Sequence, residues 1–183
     1  MRSTRSLRLR CLGLALLAVA ATAVADINAP PLAPSILSLM PGVKLRGGGE
    51  LTMLGLSIYD GYYWSHTDGW SPDQPFALEL VYHRRLPGAK IAERSVEEMA
   101  KLGYGSSRER ESWCEQMKRI FPDVDDGDRL TGVNLPREGV RFFRNGAPIG
   151  SIEDRDFARA FFAIWLDPRT SEPALRKKLL GEQ

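Results

Sequence analysis

The residues best suited to chemistry stand in one short stretch: Tyr59, Tyr62, Tyr63 and Trp64. Tyrosines on a strand can line an apolar pocket while offering a hydroxyl to the polar end of a ligand. With the period of two of a strand, Tyr59 and Tyr63 share a face with Gly55, Ser57 and Gly61. Large rings beside very small residues leave room either for a ligand or for a helix to come close. The acidic run Asp123-Val124-Asp125-Asp126-Gly127-Asp128 invites a calcium reading, but its register fails. Counted from Asp123, an EF-hand would need a ligand oxygen at Gly127 and a glutamate at Asn134. The run is read as a solvated turn. His66 and His83 have no ligand spacing with another His, a Cys or an acidic cluster, so no metal site is expected. Cys114 has no histidine partner and Ser57 lies outside a Gly-x-Ser-x-Gly elbow, so no hydrolase triad can be assembled.

The elements that must carry these residues follow from periodicity. Asp26 to Pro41 holds four prolines and no clean period, which predicts an extended segment or linker. Gly47-Gly48-Gly49 reads as a break, and a strand then runs from Leu51 to Trp64. After a turn-rich loop, Phe76, Leu78, Leu80 and Tyr82 share one face of a second strand, opposite Ala77, Glu79, Val81 and His83. Ile91, Ala92, Val96, Met99 and Ala100 form a helical stripe ending at Gly103; its start falls either near Pro87 or at a Ser95…Glu98 capping box. A second helix opens on a Ser106…Glu109 capping box, carries Trp113, Met117, Ile120 and Phe121, and stops at Pro122. Strands are predicted at Arg129 to Leu135, Val140 to Arg144 and Ala147 to Ile152, the last two joined by an Asn145-Gly146 type I′ turn. A third helix begins near Ser151 to Glu153, turns Phe157, Ala160, Phe161, Ile164 and Trp165 inward, and stops at Asp167-Pro168. A short one follows from Glu172 to Leu180. Strands, two helices, strands and helices make an α+β fold with a mainly antiparallel sheet.

The first 25 residues read as a secretory signal peptide. Arg2, Arg5, Arg8 and Arg10 precede an apolar run from Leu12 to Val24, and Ala23-Val24-Ala25 supplies a small-x-small cleavage site before Asp26. The run is short and alanine-rich for a bilayer span, so the membrane is expected as a partner only during export. Cys11 lacks the small residue that a lipoprotein site needs before it. A periplasmic or secreted location is therefore expected. Four of the 25 basic side chains and none of the 23 acidic ones lie in the leader, leaving 21 against 23. With the net positive charge gone and no cluster of basic and aromatic residues elsewhere, nucleic acid is not an expected partner. Cys114 is then the one remaining cysteine, so no intramolecular disulfide is expected. The expected organisation is a signal peptide over residues 1–25, a proline-rich segment over 26–42 and one domain over 43–183.

Several segments together resemble the exported bacterial branch of the chalcone isomerase-like family. They are Gly47 to Tyr59 (GGGELTMLGLSIY), Phe121 to Asp128 (FPDVDDGD), Phe142 to Gly146 (FFRNG), Asp156 to Leu166 (DFARAFFAIWL) and Leu179-Leu180-Gly181. The resemblance implies an open-faced β-sandwich, a sheet with helices over one side and a cleft between them. Plant enzymes of the family close a flavanone ring there, and non-catalytic relatives bind fatty acids. The enzymes stabilise an enolate-like charge with an arginine shortly after a Gly-x-Gly on the first long strand. Here Glu50, Leu51 and Thr52 follow the glycines, Arg46 precedes them, and Tyr59 takes the place of the plant threonine.

The resemblance therefore implies a non-catalytic protein that binds a hydrophobic small molecule such as a fatty acid, without a cofactor. Tyr59 would be the polar contact, Thr52 and Tyr63 its neighbours, and Arg46 a partner for an acidic headgroup. Two alternatives stand beside it. One is an isomerase of the same type with Tyr59 as acid or base; the other is an envelope interaction protein that docks through an exposed Trp64 or Trp70.

Overall fold

The computed structural model describes residues 29–182, so the leader lies outside the described residues. A four-residue helix, α1 (Pro34–Leu37), precedes strands β1 (Lys44–Met53), β2 (Leu56–Ser65) and β3 (Phe76–Tyr82). Helices α2 (Gly88–Lys101) and α3 (Ser107–Ile120) follow, then β4 (Arg129–Leu135), β5 (Gly139–Arg144) and β6 (Ala147–Ile152). Helices α4 (Arg155–Leu166) and α5 (Pro173–Leu180) close the chain. All six strands form one antiparallel sheet in chain order. The result is an α+β open-faced sandwich, with α2 to α5 on one face.

Sequence signals and structure agree closely from β3 onward. Phe76, Leu78, Leu80 and Tyr82 are buried towards the helices. The Ser106 hydroxyl accepts from the Glu109 amide, and the Glu109 carboxylate accepts from the Ser106 amide. Asn145 and Gly146 take φ of +50° and +82° in the β5–β6 turn. Helix α2 starts after Pro87, the first of its two possible starts. Ser95 instead donates its hydroxyl to the Ile91 carbonyl at 2.8 Å, while the Asp123 carboxylate accepts from the Gly88 amide at 3.0 Å. The acidic run is thus structural: Asp123 caps α2, and Asp128 accepts from Arg144 at 2.7 Å and from Asn145 at 2.8 Å.

The N-terminal half departs from the expectation in two ways. Gly47-Gly48-Gly49 is no break but the middle of β1, where α5 lies against the strand. A Cβ on Gly47 would sit 2.0 Å from the Lys178 carbonyl oxygen, so only glycine admits this approach. The stretch from Leu51 to Trp64 is likewise no single strand. It folds back at Leu54-Gly55, both with positive φ (+51° and +76°), as a two-residue hairpin turn requires.

Residues 29–42, read as an extended segment or linker, pack over the outer face of the sheet. Leu32, Ile36 and Met40 are buried there against Ala77, Val133 and Phe143. On the same face the buried Glu79 carboxylate accepts from Arg129 at 2.8 Å and from Thr131 at 3.0 Å, and Arg129 also donates to the Pro31 carbonyl at 2.8 Å. The N-terminal strap is thereby tied to a charge that burial would otherwise make costly.

Two outcomes follow. Gly47→Ala should cost about 2 kcal/mol in chemical denaturation through overpacking against α5; an unchanged stability would contradict the close approach. Hydrogen bonds from Arg144 and Arg169 hold the Asp128 and Asp167 carboxyls at about 2, below the ordinary 3.8. The unfolded chain therefore binds protons more readily than the native one. The stability these pairs supply is complete above about pH 5 and is lost as pH falls through about 4 to about 2. The urea midpoint should be flat from neutrality to that point and then fall, less steeply in an Asp128→Asn/Asp167→Asn variant. An equally steep fall in the variant would remove these carboxylates from the acid response.

A sheet–helix cavity as the candidate binding site

Helix α2 packs chiefly on α3 and α4 rather than on the sheet, while α5 rests on β1 and α4 on β5. The space left beneath α2 is a cavity of about 450 Å³, within the size range of small-molecule sites. Its floor is Leu51 and Met53 of β1, Ile58 and Tyr59 of β2, and Leu78, Leu80 and Tyr82 of β3. Its roof is Ile91 and Arg94 of α2 with Phe161, Ile164 and Trp165 of α4. Packing fixes these walls: the Phe161 ring lies 5.3 Å from that of Phe142 and 5.4 Å from that of Trp165.

Strand alternation, with two irregularities, sets which residues reach it. Leu51 pairs with Tyr59 but Thr52 with Ser57, so Ile58 is an extra residue on β2. Paired residues share a face; Thr52, next to Leu51 on β1, therefore lies on the side away from Tyr59, and the bulge sends Ser57 to that side too while turning Ile58 into the cavity. Thr52 is exposed there. A second bulge, between Leu45 and Gly47, leaves Arg46 unpaired on β1. Its guanidinium donates to the Ser65 carbonyl at 2.9 Å, to the Asp68 carboxylate at 2.6 Å and to the His66 carbonyl. Arg46 thus clamps the end of β2 and does not line the cavity. Tyr63 is buried on the Tyr59 face but lies outside the lining; its ring packs 5.5 Å from that of Phe76, and its hydroxyl donates to the Gly69 carbonyl at 3.2 Å. Of the four candidates, Tyr59 alone stands in the cavity.

The Tyr59 hydroxyl accepts from the Trp165 indole N–H at 2.8 Å, and among the described residues nothing accepts its own proton. Burial pushes its pKa far above the ordinary tyrosine value, and does the same for Tyr82, whose ring meets that of Tyr59 edge-on at 5.7 Å. Both hydroxyls are neutral at any working pH and can donate, not act as bases. At the α2 end, Glu98 is buried with Arg94 at 2.5 Å, Lys101 at 2.8 Å and Ser171 at 2.6 Å. Burial works to raise the Glu98 carboxyl, but its hydrogen bonds from Lys101 and Ser171 and the charge of Arg94 outweigh this and hold it low. Glu98, Arg94 and Lys101 are therefore committed to one another. Among the described residues no group of three or more His, Cys, Asp or Glu could hold a metal ion.

Trp165, Tyr82, Arg94 and Glu98 were not singled out from sequence. Trp165 and Tyr82 showed only as inward positions on their elements, and no local pattern marks a Tyr59–Trp165 bond spanning 106 residues. Trp64 and Trp70, the docking candidates, are half-buried and packed against the outer and inner cores respectively.

Comparison with known proteins agrees with this architecture. A fatty-acid-binding protein of Arabidopsis thaliana with a solved crystal structure shares the fold, with a TM-score of 0.59 over 76% of this chain and 87% of that one, at 12% identity. A sequence search of curated proteins finds no match. The sequence model of the chalcone isomerase-like family matches residues 68–181, from the loop before β3 to the end of α5. With well over half of its length matched, this chain belongs to the chalcone isomerase-like family.

Proposed function

We propose that the protein is a non-catalytic binder of an apolar small molecule with one polar end, of the fatty-acid class, held in the cavity beneath α2. One observation carries the reading: an apolar cavity of about 450 Å³ in which the Tyr59 hydroxyl keeps an uncommitted proton. An aliphatic chain fits walls of Leu, Ile and Phe, and a carboxylate or carbonyl oxygen accepts from Tyr59. The ligand named for the Arabidopsis protein supports the same class. The non-catalytic part is supported by what the cavity offers a reaction. Its tyrosines are held neutral, Glu98 is spent in ion pairs, and Arg94 is engaged with Glu98 rather than aimed at a developing enolate. On the leader sequence, the proposal also assigns the protein to the exported bacterial branch of its family, acting in the periplasm or outside the cell.

Titration with cis-parinaric acid, whose fluorescence rises in apolar sites, should be saturable for the wild type. Leu80→Trp should abolish uptake by filling the floor while keeping a cooperative thermal transition. Tyr59→Phe should weaken binding about fivefold, the equivalent of about 1 kcal/mol for one hydrogen bond; its stability is measured in parallel because Trp165 loses its acceptor. Absence of saturable binding by the wild type, or undiminished binding by Leu80→Trp, would overturn the site. Turnover of a chalcone above the uncatalysed rate would overturn the non-catalytic reading.

A further inference from the structure

Four large hydrophobic side chains are exposed among the described residues, and three of them, Met53, Leu54 and Leu56, sit together at the tip of the β1–β2 hairpin. Leu54 is wholly in solvent at 101% relative exposure. Singly scattered apolar residues need no explanation, but a cluster at a projecting tip does. The backbone adds a second, independent observation. Leu54 holds φ +51° in a turn that favours Asn, Asp or Gly at that position, and the equivalent place in the β5–β6 turn is Asn145. A leucine there is unfavourable for the backbone and for hydration at once. Third, Met53 is 45% exposed yet lines the cavity beside Leu51 and Ile58, so it stands at the rim and joins tip to interior.

We propose that the hairpin tip inserts shallowly into a phospholipid bilayer, bringing the cavity rim to the acyl chains so that an apolar ligand passes between the two without crossing water. Three side chains on a narrow tip fall far short of the roughly 800 Å² per partner that a stable protein interface buries. A bilayer needs no shape complementarity and accepts an apolar projection of this size. The cations near the rim are already paired, Lys90 with Glu93 at 2.8 Å and Arg94 with Glu98 at 2.5 Å. Insertion is therefore driven by apolar burial, and anionic headgroups are not required. The inference rests on the cavity reading for what travels, not for the docking.

The test is flotation of the full chain with ligand-free phosphatidylcholine vesicles, comparing wild type with Leu54→Asn and Leu54→Asn/Leu56→Ser. The expected result is a bound fraction that drops several-fold in the single variant and at least tenfold in the double one. Replacing part of the lipid by phosphatidylglycerol should change it little. Leu54→Asn should melt at or above the wild-type temperature, because Asn suits the turn, so lost binding is not unfolding. Equal flotation of the double variant would overturn the proposal and assign binding to the apolar residues 12–24 of the same chain. No flotation of the wild type would also overturn it, as would a dimer in sedimentation that the double variant dissolves. Titration of the double variant with cis-parinaric acid, run without vesicles, separates a failure of docking from a failure of the cavity reading.

Discussion

The structure depends on how closely one helix can approach the sheet. Helix α5 rests on β1 at backbone distance because Gly47 has no side chain to hold it off. Its last turn ends at Gly181, which takes φ +66° and donates its amide back into the helix. That contact pins the helix layer low at the β1 edge, while α4 rests on β5 at the other side. Helix α2, supported by α3 and α4, spans the gap between. A side chain at the glycines would lift α5 and tilt the layer, and the height of the cavity beneath α2 would change with it. The void is thus a consequence of unequal packing distances imposed from one edge, not of missing side chains in the floor.

Closing one face this way would leave the other face of the sheet to water. The chain deals with that face by a different device. Residues 29–42 cross it as a strap, and beneath it the buried Glu79 carboxylate pairs with the half-buried Arg129, which also donates to the strap's Pro31 carbonyl. Such a pair adds little net stability by itself, since desolvation offsets attraction. Its geometry, however, ties the strap to one register on β3 and β4. The sheet that carries Tyr59 is thereby packed on both faces, and the cavity is a local feature of an otherwise filled core.

How far this was legible in the sequence depended on whether the signal was local. The Ser106 capping box, the Asn145-Gly146 turn and the alternation of Phe76 to Tyr82 each place their cause within a few residues, and the structure reproduces all three. Leu54-Gly55 escaped because leucine is not a turn former, so the run from Leu51 to Trp64 read as one strand; the hairpin there forms against local preference. The glycines of β1 suggested a break because their reason, the backbone of α5 some 130 residues later, is invisible along the chain. The bulges at Arg46 and Ile58 mattered most for the site. A single extra residue moves every subsequent side chain to the other face, and at Ile58 that shift takes Ser57 off the Tyr59 face, on which a strict period of two places it.

The same geometry divides affinity from selectivity. Burial of each methylene contributes about 0.8 kcal/mol, so in the proposed complex an aliphatic chain along Leu78, Leu80 and Ile164 would supply most of the binding free energy before association costs are met. The Tyr59 hydrogen bond adds only about 1 kcal/mol. Its larger effect is on orientation. A ligand inserted polar end first leaves no buried acceptor unmatched, whereas the reverse pose strands its polar group among aliphatic walls at a cost of about 1–3 kcal/mol. Trp165 strengthens this by holding the hydroxyl oxygen at 2.8 Å and leaving its proton to face the cavity. A neutral donor fixed in this way suits the proposed role, in which the ligand is released intact. A base in the same place would need a lowered pKa, and burial here raises it.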